Sequence, residues 1–393
     1  MALSKGNSSR TEMSGHNSPL VSVIIPVFNG EETICRAIDS VFAQSYQEWE
    51  VIVVDDGSTD STKELLRKYG SKIRLVEQAN GGVASARNHG VGLARGEYIA
   101  FLDHDDFWIS EKLAIQIEIL NSHPSIGLTF GNLEVVNKRG EKLGFTMLPS
   151  YMRYAPSWED ILLTGSIVQV STVLARRGLI LKIGGFDADL FTSHGYEDRD
   201  FSLRLRELAD FNYLDLCLAY YCYDQSHGLR RITSLFLYAR KYWNHPRLQR
   251  DTDDHFRIEF MRRCSEEMRW LLRILVRVQG DRVSREMLEQ IISYHETFKD
   301  IFGDAYKRVS HFDPIDLSRY EPNSAVSLLL YLYLCRSDLQ TAYPEVGSGD
   351  LSRLIDWGLS VARGSQNDDD HPILLGYVGD FERLRKNPPN GRA

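Results

Sequence analysis

The sequence predicts an α/β fold: a mixed, mainly parallel sheet flanked by helices, followed by a helical C-terminal region. Three observations carry this. Four short apolar runs alternate with stretches whose apolar residues recur at helical spacing. The runs are apolar at nearly every position, as strands buried on both faces are. Past about residue 230 the alternation gives way to helical periodicity alone.

Order begins at Leu20. Val21-Ser22-Val23-Ile24-Ile25-Pro26 is a β-branched run ended by proline and reads as the first strand. Glu31 to Ala43 places Ile34, Ala37, Ile38, Val41 and Phe42 on one helical face. Val51 to Val54 is the second strand, stopped by Asp55-Asp56-Gly57-Ser58, and Thr59 to Tyr69 the second helix. Lys72 to Val76, Val83 to Ala94 and Tyr98 to Leu102 read as strand, helix and strand, the last ending at Asp103-His104-Asp105-Asp106. In open sheets of this kind ligands bind beyond the carboxyl ends of the strands. Three polar clusters, Pro26 to Asn29, Asp55-Asp56 and Asp103 to Asp106, are therefore expected on one edge. From about residue 128 the rhythm changes. Leu128 to Phe130, Leu133 to Asn137 and Ser171 to Ala175 read as strands, Lys138-Arg139-Gly140 and Gly184-Gly185 as turns, and Glu197 to Leu208 as a helix. Further helices are expected at His255 to Val278, Val283 to Phe302, Ser324 to Gln340 and Leu351 to Arg363.

The chain of 393 residues divides on this reading into a disordered polar leader (1–19), an α/β domain (20–229) and a helical domain (230–393). Its net charge of −8 argues against a nucleic-acid partner held by phosphate neutralisation. Five scattered cysteines fit neither a disulfide scaffold nor paired zinc ligands, which favours a reducing compartment. The leader lacks the apolar core of a secretory signal, and no apolar run is long enough to span a bilayer. The expected location is cytoplasmic, with peripheral attachment at the inner face of the membrane as the alternative. The basic residues Arg230, Arg231, Arg240, Lys241, Arg247 and Arg250 read as a solvated helix face, with contact to anionic headgroups as the second reading.

Two acid pairs suggest chemistry. Asp103 and Asp105 flank His104 at a strand end, where extended backbone would turn both carboxylates to one side. Hard oxygen donors of this kind suit Mg²⁺ or Mn²⁺, completed by diphosphate oxygens and water. Glu197-Asp198 sits at a helix start, where carboxylates are favoured by the dipole and can serve as a general base. Asp55 reads either as an acceptor for a nucleotide or as a turn residue, and Arg87 either as a phosphate partner or as the mate of a buried acid. Trp108, Trp158 and Tyr196 could stack on a sugar, although core packing is the usual fate of such rings.

The segments VSVIIPVFNG (21–30), VVDDGSTD (53–60), NGGVASARNHG (80–90), GEYIAFLDHDD (96–106), GGFD (184–187) and EDRDFSLRL (197–205), in this order and spacing, resemble the family 2 inverting glycosyltransferases. The resemblance covers about residues 20–227 and implies the GT-A fold. It implies a metal-dependent enzyme moving a sugar from a nucleoside diphosphate donor, UDP above all, to a hydroxyl acceptor. That acceptor would be a saccharide or a lipid-linked saccharide, in cell-surface polysaccharide or glycan synthesis. It assigns Asp198 as the base, Glu197 to the acceptor, Asp105 to the metal, and Asp103 to ribose or metal. Asp106 could share that duty. Asp55 and, more strongly, Asp56 would contact the base, with Pro26, Val27 and Phe28 as its wall. His227 is a candidate for metal or phosphate, although Tyr223-Asp224-Gln225-Ser226-His227 departs from the family's common arginine-containing form. The principal rival is a noncatalytic nucleotide-sugar-binding or scaffolding module, which would need no base. A phosphoryl-transfer enzyme using Asp103 as nucleophile is a second, and a dinucleotide oxidoreductase is disfavoured by the missing GxGxxG.

Overall fold

The computed structural model describes residues 20–164, 167–188, 195–222, 230–249 and 256–264, with 267, 297 and 300–302. These residues fall into two compact units. The first draws on 20–161, 167–188 and 198–222, the second on 162–164, 195–197 and the described residues from 230 onward.

The first unit is a mixed α/β sandwich built in the expected order. β1 (Val21–Val27), α1 (Ile34–Phe42), β2 (Trp49–Asp55), α2 (Thr62–Arg67), β3 (Arg74–Glu77), α3 (Val83–Leu93) and β4 (Tyr98–Phe101) alternate along the chain. All seven residues of β1 are buried, because helices cover both faces of a central parallel strand. On α1 the residues Ile34, Ala37, Ile38 and Val41 are buried, the stripe that the spacing predicts. β5 (Phe107–Trp108), α4 (Lys112–Ser122), β6 (Ile126–Val136), β7 (Lys142–Thr146), α5 (Trp158–Thr164), β8 (Leu174–Arg176), α6 (Arg177–Lys182), α7 (Glu197–Arg206) and β9 (Asp210–Cys222) follow. The sheet runs β3-β2-β1-β4-β8-β6-β9-β5, with β7 paired to β6. β3, β2, β1 and β4 are parallel, as are β6 and β9, whereas β8 is antiparallel to both neighbours. Most paired residues thus lie in parallel ladders.

Several sequence expectations need correction. The two strands expected at 128–130 and 133–137 are one, β6, whose ladder with β9 shifts register at Gly131 and Asn132. The strand expected at Ser171 to Ala175 begins only at Leu174, since Val170–Thr172 form a 3-10 turn. The long strand β9 went unread, because Asp215 and a broken burial alternation hide its period.

In the second unit, α8 (Arg230–Trp243) and α9 (Pro246–Gln249) precede a helical stretch at 256–264. Tyr238 is buried against Tyr196 and Tyr242, with ring centroids 5.2 and 4.8 Å away, and Trp243 packs edge-on to Phe302. The helices expected at 324–340 and 351–363, the leader and most of 265–302 lie outside the described residues. No described helix is long and apolar enough to cross a membrane. No disulfide joins the described cysteines.

Candidate active site

The carboxyl ends of β1, β2 and β4 lie side by side. Val27 is paired with Asp55, Ile24 with Phe101, and Asp56 N–H donates to Val27 C=O at 2.8 Å. Pro26 and Val27 are buried, while the Phe28 ring stands 44% exposed beside them. The β1 and β2 ends are laced together by polar caps. Asn29 N–H donates to Ser58 Oγ, Thr59 N–H to Asn29 Oδ1 and Gly30 N–H to Thr62 Oγ1, so Ser58 serves as a turn residue. Asp60 caps the backbone N–H groups of Thr62 and Glu31.

Asp55 is fully buried. One of its oxygens accepts from Ser58 N–H at 2.9 Å and the other lies 3.6 Å from Lys63 Nζ, as the turn reading of this residue expects. Asp56 is also buried and accepts from Gln78 Nε2 and from the backbone N–H groups of Gly81 and Gly82, each at 2.8 Å. The glycine loop before α3 is thus fastened to the end of β2 by the very carboxylate that the resemblance assigns to the base.

Arg87, buried in α3, donates to Asp103 Oδ1 at 2.7 Å, so it has an acid partner, although that acid is half-buried rather than buried. The stretch from Asp103 to Asp106 is not extended. Asp106 N–H donates to the Asp103 carbonyl at 3.1 Å and closes a turn, so strand alternation does not set the directions of Asp103 and Asp105. Both acids are half-buried. Asp106 is buried outright, and its carboxyl titrates well above the usual range because of burial first and then the charges of Asp105 and Asp103. It accepts from Ser171 Oγ at 2.6 Å and from Cys222 N–H at 3.2 Å. Ser171 Oγ also accepts from Asp103 N–H. His104 Nδ1 lies 3.0 Å from Thr33 Oγ1, consistent with a spacer. Arg36 adds a brace that no motif announced: its guanidinium donates to the Asp105 and Lys138 carbonyls and to Cys222 Sγ.

Among the described residues no three His, Cys, Asp or Glu side chains converge as a metal cage. The donor set of the acid turn still suits a hard divalent cation. Asp103 and Asp105 offer hard carboxylate oxygens, part of a coordination shell that phosphate oxygens and water would complete.

α7 carries the second acid pair. Asp198, in its first turn, is half-exposed between buried Glu197 and Arg199. Glu197 accepts from Gly195 N–H at 2.7 Å, and Tyr196 holds a left-handed φ of 71° just before the helix. Within the first unit, three rings join α7 to the acid turn. Phe186 stacks on Phe201 at 4.2 Å, and both meet Phe101, two residues before Asp103, edge to face. The Arg87 guanidinium lies over Phe186 at 5.1 Å while it holds Asp103. Asn88 clamps the Phe186 backbone through two 2.8 Å bonds, and Arg204 ties α7 to the carbonyls of Ile183 and Gly185. The NGG…ARN, GGFD and DHDD segments and α7 from Asp198 onward are therefore parts of one packed body. Trp108, Trp158 and Tyr196 are buried, which favours the core reading for all three. His227 lies outside the described residues. Ser171, Arg36, Gln78 and Asn88 were missed, since each acts through a partner far away in sequence.

The profile of Glycosyl transferase family 2 matches residues 22–160. An uncharacterized glycosyltransferase of Rickettsia typhi, RT0329, is 39% identical over 184 residues, 46% of this chain and 57% of that protein. The Escherichia coli UDP-Glc:alpha-D-GlcNAc-diphosphoundecaprenol beta-1,3-glucosyltransferase WfgD is 44% identical over 121 residues, 30% of this chain and 47% of that protein. The chain thus spans about half the length of these curated relatives. S. aureus TarS 1-349, solved in complex with UDP, superposes with a TM-score of 0.53 at 21% identity, covering 88% of this chain and 92% of that one. This likeness shows the GT-A glycosyltransferase fold.

Proposed function

We propose that this chain is an inverting glycosyltransferase acting on a nucleoside diphosphate sugar, with UDP as the nucleotide, a reading supported by the match of residues 22–160 to Glycosyl transferase family 2. The names of two similar proteins, one binding UDP and one using UDP-glucose, support that donor. The acceptor is a hydroxyl of a saccharide, free or carried on a lipid diphosphate as in the second of them, in polysaccharide or glycan synthesis. The observation that supports the reading is the aromatic column Phe101–Phe186–Phe201, which packs α7 at Phe201 against β4, the strand followed by Asp103 and Asp105.

In this reading Asp198 accepts the acceptor's hydroxyl proton as its oxygen bonds to the anomeric carbon. The bond from that carbon to the diphosphate oxygen breaks, and its electron pair leaves with the nucleotide. A carboxylate is a weak base toward an alcohol, so the proton moves late, once the oxygen has begun to bond. Glu197 holds the acceptor. One base is enough because the leaving group is already good, whereas glycosidases need two carboxyls. Mg²⁺ or Mn²⁺ held by Asp105 and Asp103 would supply positive charge against the departing diphosphate. Arg87 orients Asp103, and Asp106, Ser171 and Arg36 hold the acid turn in shape. Asp56 with Pro26, Val27 and Phe28 lines the base pocket, offering a further lone pair while it anchors the glycine loop, and Asp55 backs the pocket as the buried turn acid. His227 is retained as a candidate for metal or phosphate.

The test is Asp198→Asn. It should keep the thermal stabilisation given by UDP with Mn²⁺ while lowering transfer about 10²–10⁴-fold, the range of a lost general base. Transfer at the wild-type rate would remove Asp198 from the role. Nucleotide binding without turnover by the unmodified chain, over a broad acceptor panel, would favour a noncatalytic binder.

A further inference from the structure

The described residues leave eight large hydrophobic side chains exposed. Three of them, Leu143, Phe145 and Met147, stand at alternate positions along β7 and the residue after it, and two more, Tyr154 and Leu216, each adjoin a residue of one arginine's bonding group, Arg153 itself and Asp215. Arg153 Nη2 donates to Thr146 Oγ1 at 3.1 Å and Arg153 Nε to the Leu148 carbonyl at 3.3 Å, and its guanidinium lies 3.7 Å from Asp215. These bonds bring the β7 segment, the 153–154 segment and the bulge of β9 together. Phe145 is 54% exposed, more than any of the others. Among the described residues β7 pairs with β6 alone, as an edge strand does, and Gly144 holds φ +82° within it, so it does not continue the sheet regularly. A cluster of this kind on an otherwise polar surface marks a contact site.

Charge and position identify the occupant. The turn leading into β7 carries Lys138, Arg139 and Lys142 with Glu141, and because Lys142 is paired to Glu134 at 2.7 Å, Lys138 and Arg139 supply its excess of positive charge, in a chain whose net charge is −8. Lys138 and Arg139 are exposed, and Asn137 fixes their turn by accepting from Arg139 N–H and Gly140 N–H. The same turn is bound to the acid cluster: Arg36 donates to the Lys138 carbonyl at 3.2 Å and to the Asp105 carbonyl at 3.3 Å. Apolar side chains beside a basic turn match the interface of an anionic bilayer, where the rings and aliphatic groups enter the headgroup region and the cations meet phosphate. We propose that the β6–β7 hairpin docks the protein on an anionic lipid surface. The hairpin base would thereby keep the acid turn within reach of an acceptor anchored in that surface. The last step rests on the transferase reading, whereas docking itself does not.

The experiment is co-sedimentation of the full chain with vesicles of phosphatidylcholine alone or with one quarter phosphatidylglycerol. The unmodified chain should pellet with the anionic vesicles and much less with neutral ones. The triple variant Leu143→Ser, Phe145→Ser, Met147→Ser and the double variant Lys138→Glu, Arg139→Glu should each bind the anionic vesicles about ten-fold or more weakly. Both should keep the wild-type melting temperature and its shift with UDP and Mn²⁺, since every altered side chain is exposed. Retained binding in both variants, or no binding by the unmodified chain, overturns the proposal. So does a dimer in sedimentation velocity that the triple variant dissolves, which would assign the patch to a second copy. Loss of the UDP shift in the unmodified chain would count against the transferase reading alone.

Discussion

A methyl group added at Gly185 is expected to cost more than the same group added one residue earlier. Both glycines hold left-handed backbone, with φ of +77° at 184 and +73° at 185. Alanine at either position incurs about 1–2 kcal/mol of steric cost, less the ~0.4–1 kcal/mol returned by a stiffer unfolded chain. At 184 the added Cβ meets no atom within 4 Å, so the balance of those two quantities is the whole effect. At 185 it runs into Asn88 Oδ1, the acceptor of Phe186 N–H in a clamp whose other arm is Asn88 Nδ2 to the Phe186 carbonyl. Breaking both arms adds about 0.5–1.5 kcal/mol for each bond. Gly185→Ala should therefore be about 1–3 kcal/mol less stable than Gly184→Ala, which for a unit of this size is about 2–4 °C in Tm per kcal/mol. Calorimetric melting of the two variants side by side measures the difference. Transfer should fall further in Gly185→Ala, because Phe186 supports both Arg87 and Phe201. If the two variants melt together, the Asn88 clamp does not order this turn and the account of how the motifs are joined fails.

Lys112 lies buried with its Nζ 4.0 Å from the Trp108 ring centre and 3.4 Å from the Val173 carbonyl, and burial holds its pKa well below the ordinary lysine value. Between its folded and unfolded pKa values the unfolded chain binds more protons, so stability rises with pH across that window. Lys112→Met, which keeps the packing, should raise stability most at pH values below the window and flatten the slope within it. Urea titrations at several pH values test this, and an unchanged slope would refute it. At Asp106, alanine should strand the Ser171 hydroxyl and Cys222 N–H at about 1–3 kcal/mol for each. Asparagine can still accept from one and donate to the other, so its loss should be much smaller; equal losses in urea unfolding would contradict the brace.

The alternating apolar runs determined the parallel half of the sheet, because a strand buried on both faces must be apolar throughout and such runs survive in one dimension. The same logic located the strand ends and the acids on them. β9 escaped because its burial is uneven and its ladder is broken by register shifts, so no period of two remains to be read. The sequence also named Arg87 and Asp103 without showing that they pair, since they stand sixteen positions apart across helix, turn and strand and only the packed sheet closes that distance. Tertiary structure alone decided the rest. It bent Asp103 to Asp106 into a turn, buried Asp106 between Ser171 and Cys222, and set Phe186 between Arg87 and Phe201. Contacts of that kind depend on which surfaces meet when layers stack, and local spacing holds no record of them.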